Sequence, residues 1–376
     1  MGRLPPLGAR FFSSALAELQ PYEPGKPVEE VQRELGLERV VKMASNEGPY
    51  GPFPAALEAM AAASSELNRY PDGGAYRLRA ALADRHDVQF EELVLGAGAD
   101  GLIDTISQAV LEPGDEVVGG WPSFPSYVIY ASKLGARATR VPLRDHRYDL
   151  ERILAAVTSR TKIVYVCLPN NPTGTANSRA EVDDYFARVP DHVLTVLDQA
   201  YLEYIEDPDY PDGIEEYAKQ GRRVAVLRTF SKIYGLAGLR VGYAVAPADL
   251  ALAVGKTRRA FDLTTSAQVA ALASLDDPAE LERRRSLNAR GRAELERILR
   301  DHGFAPAARA VANFLFAEVG EDAQPVFEAL LRLGVIVRPL RGFGAPGAIR
   351  VTVGTPEEQR FLEEALGRLG AAAPSS

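Results

Sequence analysis

Only one cysteine, Cys167, occurs in the chain, so no intrachain disulfide can form and a reducing cytoplasm is the expected setting. Positive charge is in deficit. The 43 Lys and Arg stand against 51 Asp and Glu, a net charge of −8. That balance argues against nucleic acid or an anionic membrane surface as the main partner. The cluster Arg283-Arg284-Arg285 lies among acidic residues and reads as a solvated helix face. Long apolar runs are missing too: nothing approaches the roughly 18 consecutive apolar residues of a membrane span. Pro5 and Pro6 interrupt any signal-peptide core or myristoylation signal near the start. No internal repeat is visible and no metal site is expected.

What is present is an ordinary globular composition, 46% hydrophobic and 25% charged, in 376 residues. That length suits one large domain and a smaller one. Two helix-like patches, around 11–19 and 28–35, flank a Pro- and Gly-rich hinge at 21–27. From about residue 54, short β-branched runs alternate with helix-length segments. The runs are 92–95, 116–118, 138–141, 162–166, 193–197 and 224–227, and the alternation predicts a mostly parallel sheet with helices on both faces. Beyond about 265 the character changes. Charged helical segments (277–302, 322–333, 356–369) alternate with strands (312–318, 335–338, 348–353), as in a smaller α+β domain. The expected division is an N-terminal segment, 1–45, packing with the small domain, a large domain, 46–265, and the small domain, 266–376.

Several runs end in polar or glycine-rich segments: Gly96-Ala97-Gly98-Ala99-Asp100, Pro169-Asn170-Asn171-Pro172-Thr173-Gly174, Asp198-Gln199-Ala200-Tyr201 and Thr229-Phe230-Ser231-Lys232. Ligands of open α/β sheets sit at the carboxyl ends of the strands, so these segments are expected to converge on one site. The first opens a helix, where small residues and free amides favour an anion; a plain strand-to-helix turn explains it as well. A dinucleotide loop is excluded because the third glycine is out of register. Asp198 ends a strongly apolar strand, where a carboxylate is costly unless paired. A protonated heterocyclic nitrogen is a natural partner, and a helix N-cap is the plainer alternative. Lys232 leaves the interior among small residues, where a lysine can become a neutral, imine-forming amine. Ser231 and Arg240 are placed to grip a phosphate.

With these residues in view the chain resembles the fold-type-I aminotransferases of the histidinol-phosphate aminotransferase group. The resemblance runs from Pro21-Tyr22 to Arg350-Val351-Thr352-Val353-Gly354-Thr355, and its strongest pieces are Asn170-Asn171-Pro172-Thr173-Gly174, Asp198-Gln199-Ala200-Tyr201 and Ser231-Lys232 with Gly235-Leu236-Ala237-Gly238-Leu239-Arg240. It implies an aspartate-aminotransferase-like large domain plus a smaller α+β domain, and pyridoxal 5'-phosphate held by Lys232 as a Schiff base. The amides of Ala99 and Asp100, with Ser231 and Arg240, would bind the cofactor phosphate. Phe124 would stack on the ring, Asn171 and Tyr201 would meet its hydroxyl oxygen, and Asp198 its nitrogen. Tyr70 would reach the phosphate of a neighbouring subunit's cofactor, which implies a homodimer with shared sites. Arg350 and Arg338 would grip the substrate's anion, with Tyr22, Asn46 and Asn313 in the pocket.

The resemblance points to transfer of an amino group from histidinol phosphate to 2-oxoglutarate, a step of histidine biosynthesis. Phenylalanine transamination and, further off, threonine-phosphate decarboxylation share the scaffold. The segment 338–344 adds Arg341 and Phe343 near the expected pocket and suits either transamination. A nicotinamide-dependent dehydrogenase gives Lys232 no role, and a non-catalytic regulatory module leaves the lysine, aspartate and arginine set unexplained. Two departures loosen the choice of amine donor: Gln199 stands where the group usually has an acid, and Gly48 where asparagine is common.

Overall fold

The computed structural model describes residues 13–16, 19 and 24–372. Tyr22 and most of the expected 11–19 helix therefore lie outside the described residues. In chain order the strands are β1 (Val41–Lys42), β2 (Leu93–Gly96), β3 (Glu116–Trp121), β4 (Arg137–Pro142), β5 (Thr161–Cys167), β6 (Leu194–Asp198) and β7 (Val224–Thr229). They continue with β8 (Gly242–Val245), β9 (Ala305–Pro306), β10 (Phe314–Glu318), β11 (Val335–Ile336), β12 (Arg338–Pro339) and β13 (Ala348–Thr352).

Every residue of β2, β6 and β7 is buried, because helices cover both faces of the sheet they form. That sheet has seven strands in the order β2-β8-β7-β6-β5-β3-β4. Pairing is parallel from β4 through β7, whereas β8 is antiparallel to both β7 and β2. The fold is thus the mostly parallel α/β architecture expected. β8 escaped the sequence reading because Gly242 and Pro247 leave it only a short run. Val226 and Leu227 are fully buried at its centre, and burying such a side chain contributes about 1.5–3 kcal/mol.

A second, antiparallel sheet, β12-β13-β10-β9, carries helices Pro278–Asp301, Gln324–Arg332 and Pro356–Ala372. Its core joins Leu295, Leu299, Leu315, Val351 and Leu362 to Val41 and Met43 of the N-terminal segment, where β1 pairs with β11. Helix Thr265–Leu275 begins with Thr264 capping Ala267, but its Ala267, Ala270 and Ala271 pack into the large sheet's core. We therefore place the division after this alanine-rich helix, one helix beyond 265.

No helix among the described residues is long and apolar enough to cross a membrane.

Candidate active site

The carboxyl ends of β2, β5, β6 and β7 open on one cavity of about 300 Å³. Its lining brings together Lys232, Ala99, Asp100, Phe124, Asn171, Asp198, Tyr201, Ser231, Arg240, Asn46, Arg338 and Arg350. Two expected residues stand elsewhere. Asn313 is buried behind the wall and donates from Nδ2 to the Asn46 carbonyl at 3.2 Å, which makes it a support. Tyr70 is 80% exposed and stacks on Phe261 with ring centres 4.5 Å apart, outside this chain's own cavity. Tyr22 lies outside the described residues.

One end of the cavity is built for an anion. Helix Gly98–Val110 starts there, and its first N–H groups have no acceptor within the helix. Gly98 has a φ of 76°, and a Cβ on it would lie 2.8 Å from the Arg240 guanidinium. The glycine is therefore what lets Arg240 cross the helix start, where it donates to the Ala97 and Ala237 carbonyls at 3.3 Å. Ser231 stands beside it, its hydroxyl accepting from Thr229 at 3.0 Å. Asp100 turns its carboxylate away, onto the hydroxyls of Ser126 at 2.5 Å and Tyr130 at 2.8 Å.

At the floor, Asp198 accepts from Tyr127 Oη at 2.7 Å and from the Ala200 amide at 3.0 Å. No helix follows it directly, only a turn and the 3-10 segment Leu202–Tyr204, so it is not an N-cap. Burial pushes its carboxyl above the ordinary range, while the Tyr127 and Ala200 hydrogen bonds and the Lys232 charge oppose this. Tyr201 Oη accepts from Asn46 Nδ2 at 3.0 Å and keeps its own proton to donate. Asn171 accepts from the Arg350 guanidinium through Oδ1, which leaves its Nδ2 as the donor.

The Lys232 amine titrates at about 7. Burial is the main cause, Arg350 and Arg240 add to it, and Glu47 and Asp198 oppose it. Its Nζ lies 3.5 Å from the Ser45 carbonyl and 5.4 Å from the centre of the Tyr201 ring. Arg284, read from sequence as part of a solvated face, is instead buried: it donates to Gly51 O at 2.6 Å and to Ile233 O at 3.1 Å, beside the lysine. Five backbone carbonyls and two carboxylates accept from the arginines of that helix start, and the most buried of the three, Arg284, is the one with four backbone partners.

Across the cavity, Arg338 and Arg350 face each other at directly opposed positions of β12 and β13. Two guanidinium groups on one wall can offer donors to a single anion. Arg350 also donates to Ala44 O at 2.7 Å and lies 5.3 Å from the ring centres of both Phe314 and Phe343.

Both departures have a physical reason. A Cβ on residue 48 would come 2.8 Å from the Lys232 carbonyl oxygen, so glycine fits this close approach. Gln199 points away from the cavity, donating to Pro211 O at 2.8 Å and accepting from Gly213 N at 2.9 Å, two bonds that an ionised carboxylate cannot make together. Sequence reasoning missed Glu47, Thr229 and Cys167 in the lining, and Tyr127 behind it.

This donor set fits pyridoxal 5'-phosphate: an anion cradle at one end, a buried carboxylate that gains from a cationic nitrogen, two donors for a ring oxygen and a neutral-capable amine. Fold and site together define a pyridoxal-phosphate-dependent transaminase. The model of the family aminotransferase class I and II matches residues 38–369, and the chain belongs to that family. It is 43% identical over 355 residues to the histidinol-phosphate aminotransferase of Moorella thermoacetica, covering 94% of this chain and 91% of that one. The crystal structure of histidinol-phosphate aminotransferase from Sinorhizobium meliloti in complex with pyridoxal-5'-phosphate superposes with a TM-score of 0.86 at 29% identity, covering 96% and 98% of the two chains. An aspartate aminotransferase double mutant of Thermus thermophilus gives a TM-score of 0.84 at 25% identity, covering 96% and 99%.

Proposed function

We propose that this chain transfers the amino group of histidinol phosphate to 2-oxoglutarate. The observation that carries the choice of donor is the opposed pair Arg338 and Arg350 in the cavity wall. Two guanidinium groups suit a phosphate dianion better than a lone carboxylate, and the two histidinol-phosphate aminotransferases named above support the same reading.

Bound here, pyridoxal 5'-phosphate supplies an aldehyde that condenses with amines and a cationic ring that takes up the electron pair left at a substrate's Cα. The chain's own groups do the rest. Ala99, Asp100, Ser231 and Arg240 would hold the phosphate end, and Phe124 would limit rotation of the ring. Asp198 would hold the proton on the ring nitrogen, with Asn171 Nδ2 and Tyr201 Oη as donors to the ring oxygen. Lys232 would be the amine that holds the aldehyde carbon and the base that moves a proton from the substrate's Cα. An amine titrating at about 7 is roughly half neutral at neutral pH, which suits a general base that must also give the proton back. Arg338 and Arg350 orient the donor's phosphate, and then a carboxylate of 2-oxoglutarate in the return reaction. Asn46, steadied by Asn313, closes the wall beside Tyr201.

The exposed Tyr70–Phe261 stack supports a homodimer in which Tyr70 completes the phosphate site of its partner, since a large apolar pair is costly to leave in water. The test of substrate is a half-reaction panel. Holoenzyme is mixed with histidinol phosphate, phenylalanine, tyrosine and threonine phosphate, and the absorbance of the bound cofactor is followed. Histidinol phosphate should react fastest; faster conversion of phenylalanine would replace the donor while leaving the reaction class intact.

A further inference from the structure

Behind the cavity lies a buried aromatic column that the reaction described above does not use. Tyr127, 4% exposed, donates from Oη to Asp198 Oδ2 at 2.7 Å. Its ring stacks on Tyr165 with centres 4.5 Å apart and planes 12° from parallel, and Tyr165 is tied in turn to Ser107 by a 2.8 Å hydroxyl pair. The other edge of Tyr127 meets Phe124 in a T-shaped contact, with centres 5.7 Å apart and planes at 82°. One side chain thus touches both groups assigned to the cofactor ring, the stacking aromatic and the acid.

We infer that Tyr127 is a positioning residue that sets the orientation and basicity of Asp198 through its hydroxyl and seats Phe124 through its ring. The physical reason is local. Asp198 is 4% exposed, and water cannot hold its carboxylate. The Ala200 amide fixes Oδ1, and Tyr127 is the side-chain donor on Oδ2. A donated hydrogen bond stabilises the ionised acid and lowers its hunger for a proton. Without it, Asp198 draws the shared proton toward itself, and the ring nitrogen moves toward its neutral form. The stack on Tyr165 resists any swing of the hydroxyl, because both rings are buried.

The inference rests on the reading of Asp198 as the partner of the ring nitrogen, and the experiment separates the two. Tyr127→Phe keeps the ring and removes the hydroxyl. Adding cofactor to the cofactor-free protein should give a dissociation constant raised about tenfold, with kcat lowered about tenfold and KM within about twofold. With ring-15N-labelled cofactor, the nitrogen resonance should move toward its neutral-pyridine position. In an Asp198→Asn background, Tyr127→Phe should add less than about twofold to either effect, since its route is gone. Tyr165→Phe, which keeps the stack, should leave the dissociation constant within about twofold of the parent. Wild-type binding and an unmoved nitrogen resonance in Tyr127→Phe overturn the inference. So does equal damage from Tyr165→Phe, which would assign the effect to loss of a buried hydroxyl in the column and not to the bond on Asp198. If Asp198→Asn itself binds cofactor normally, the reading of the acid fails first.

Discussion

Lys232 should behave as a neutral amine at a pH where other lysines do not. An ordinary lysine at 10.5 has about one neutral amine in 3,000 at pH 7, whereas one titrating at about 7 has about one in two. The reactive fraction is therefore raised on the order of 1,500-fold by burial and by the nearby Arg350 and Arg240 charges. The assay labels the cofactor-free protein with fluorodinitrobenzene between pH 5 and 9 and quantifies the Lys232 peptide by mass spectrometry. Its rate should rise through pH 6, bend near pH 7 and level off. Arg350→Gln removes the second cause, so the bend should move to higher pH. A Lys232 rate that rises tenfold per pH unit as far as pH 9 would refute the reasoning, because the charged form would then be no worse solvated than in water.

Further outcomes are expected. Asp198→Asn should lower kcat about 100- to 1,000-fold while the protein stays folded, checked by steady-state kinetics beside circular dichroism. Gly48→Ala places a Cβ 2.8 Å from the Lys232 carbonyl and should cost about 1–3 kcal/mol of stability in urea unfolding. Lys232→Ala and Tyr70→Ala should each be inactive; mixed after subunit exchange, they should regain activity at about a quarter of the sites, since half the dimers are hybrids with one intact site each. Absence of any regain would place Tyr70 outside a shared site.

Much of this arrangement was legible in the sequence because the chemistry sits at strand ends. Apart from the exposed Lys162, the runs at 162–166, 193–197 and 224–227 are buried, and the polar residues that follow them, Asn171, Asp198 and Ser231-Lys232, fall where the sheet opens. Glycine spacing around Gly98 marked the anion end for the same reason. What escaped depends on packing across long separations. Tyr127 is one more aromatic in an amphipathic helix until the fold sets its hydroxyl on Asp198, and Arg284 looks solvated until its backbone partners are known. The division near 265 was read from a rise in charge, but helix Thr265–Leu275 is alanine-rich and packs back on the large sheet.

The opposed arginines are fixed by the hydrogen-bonded ladder of β12 and β13, whereas Lys232 is fixed by the turn after β7. The two anchors therefore set a length between the anion and the reacting carbon. A donor whose charged group is one methylene nearer to or farther from that carbon would carry it about 1 Å out of line, and a displacement of that size can cost about 100-fold in rate. Discrimination among amines of like charge then becomes a matter of reach, and a homologous series of phosphate esters would chart it.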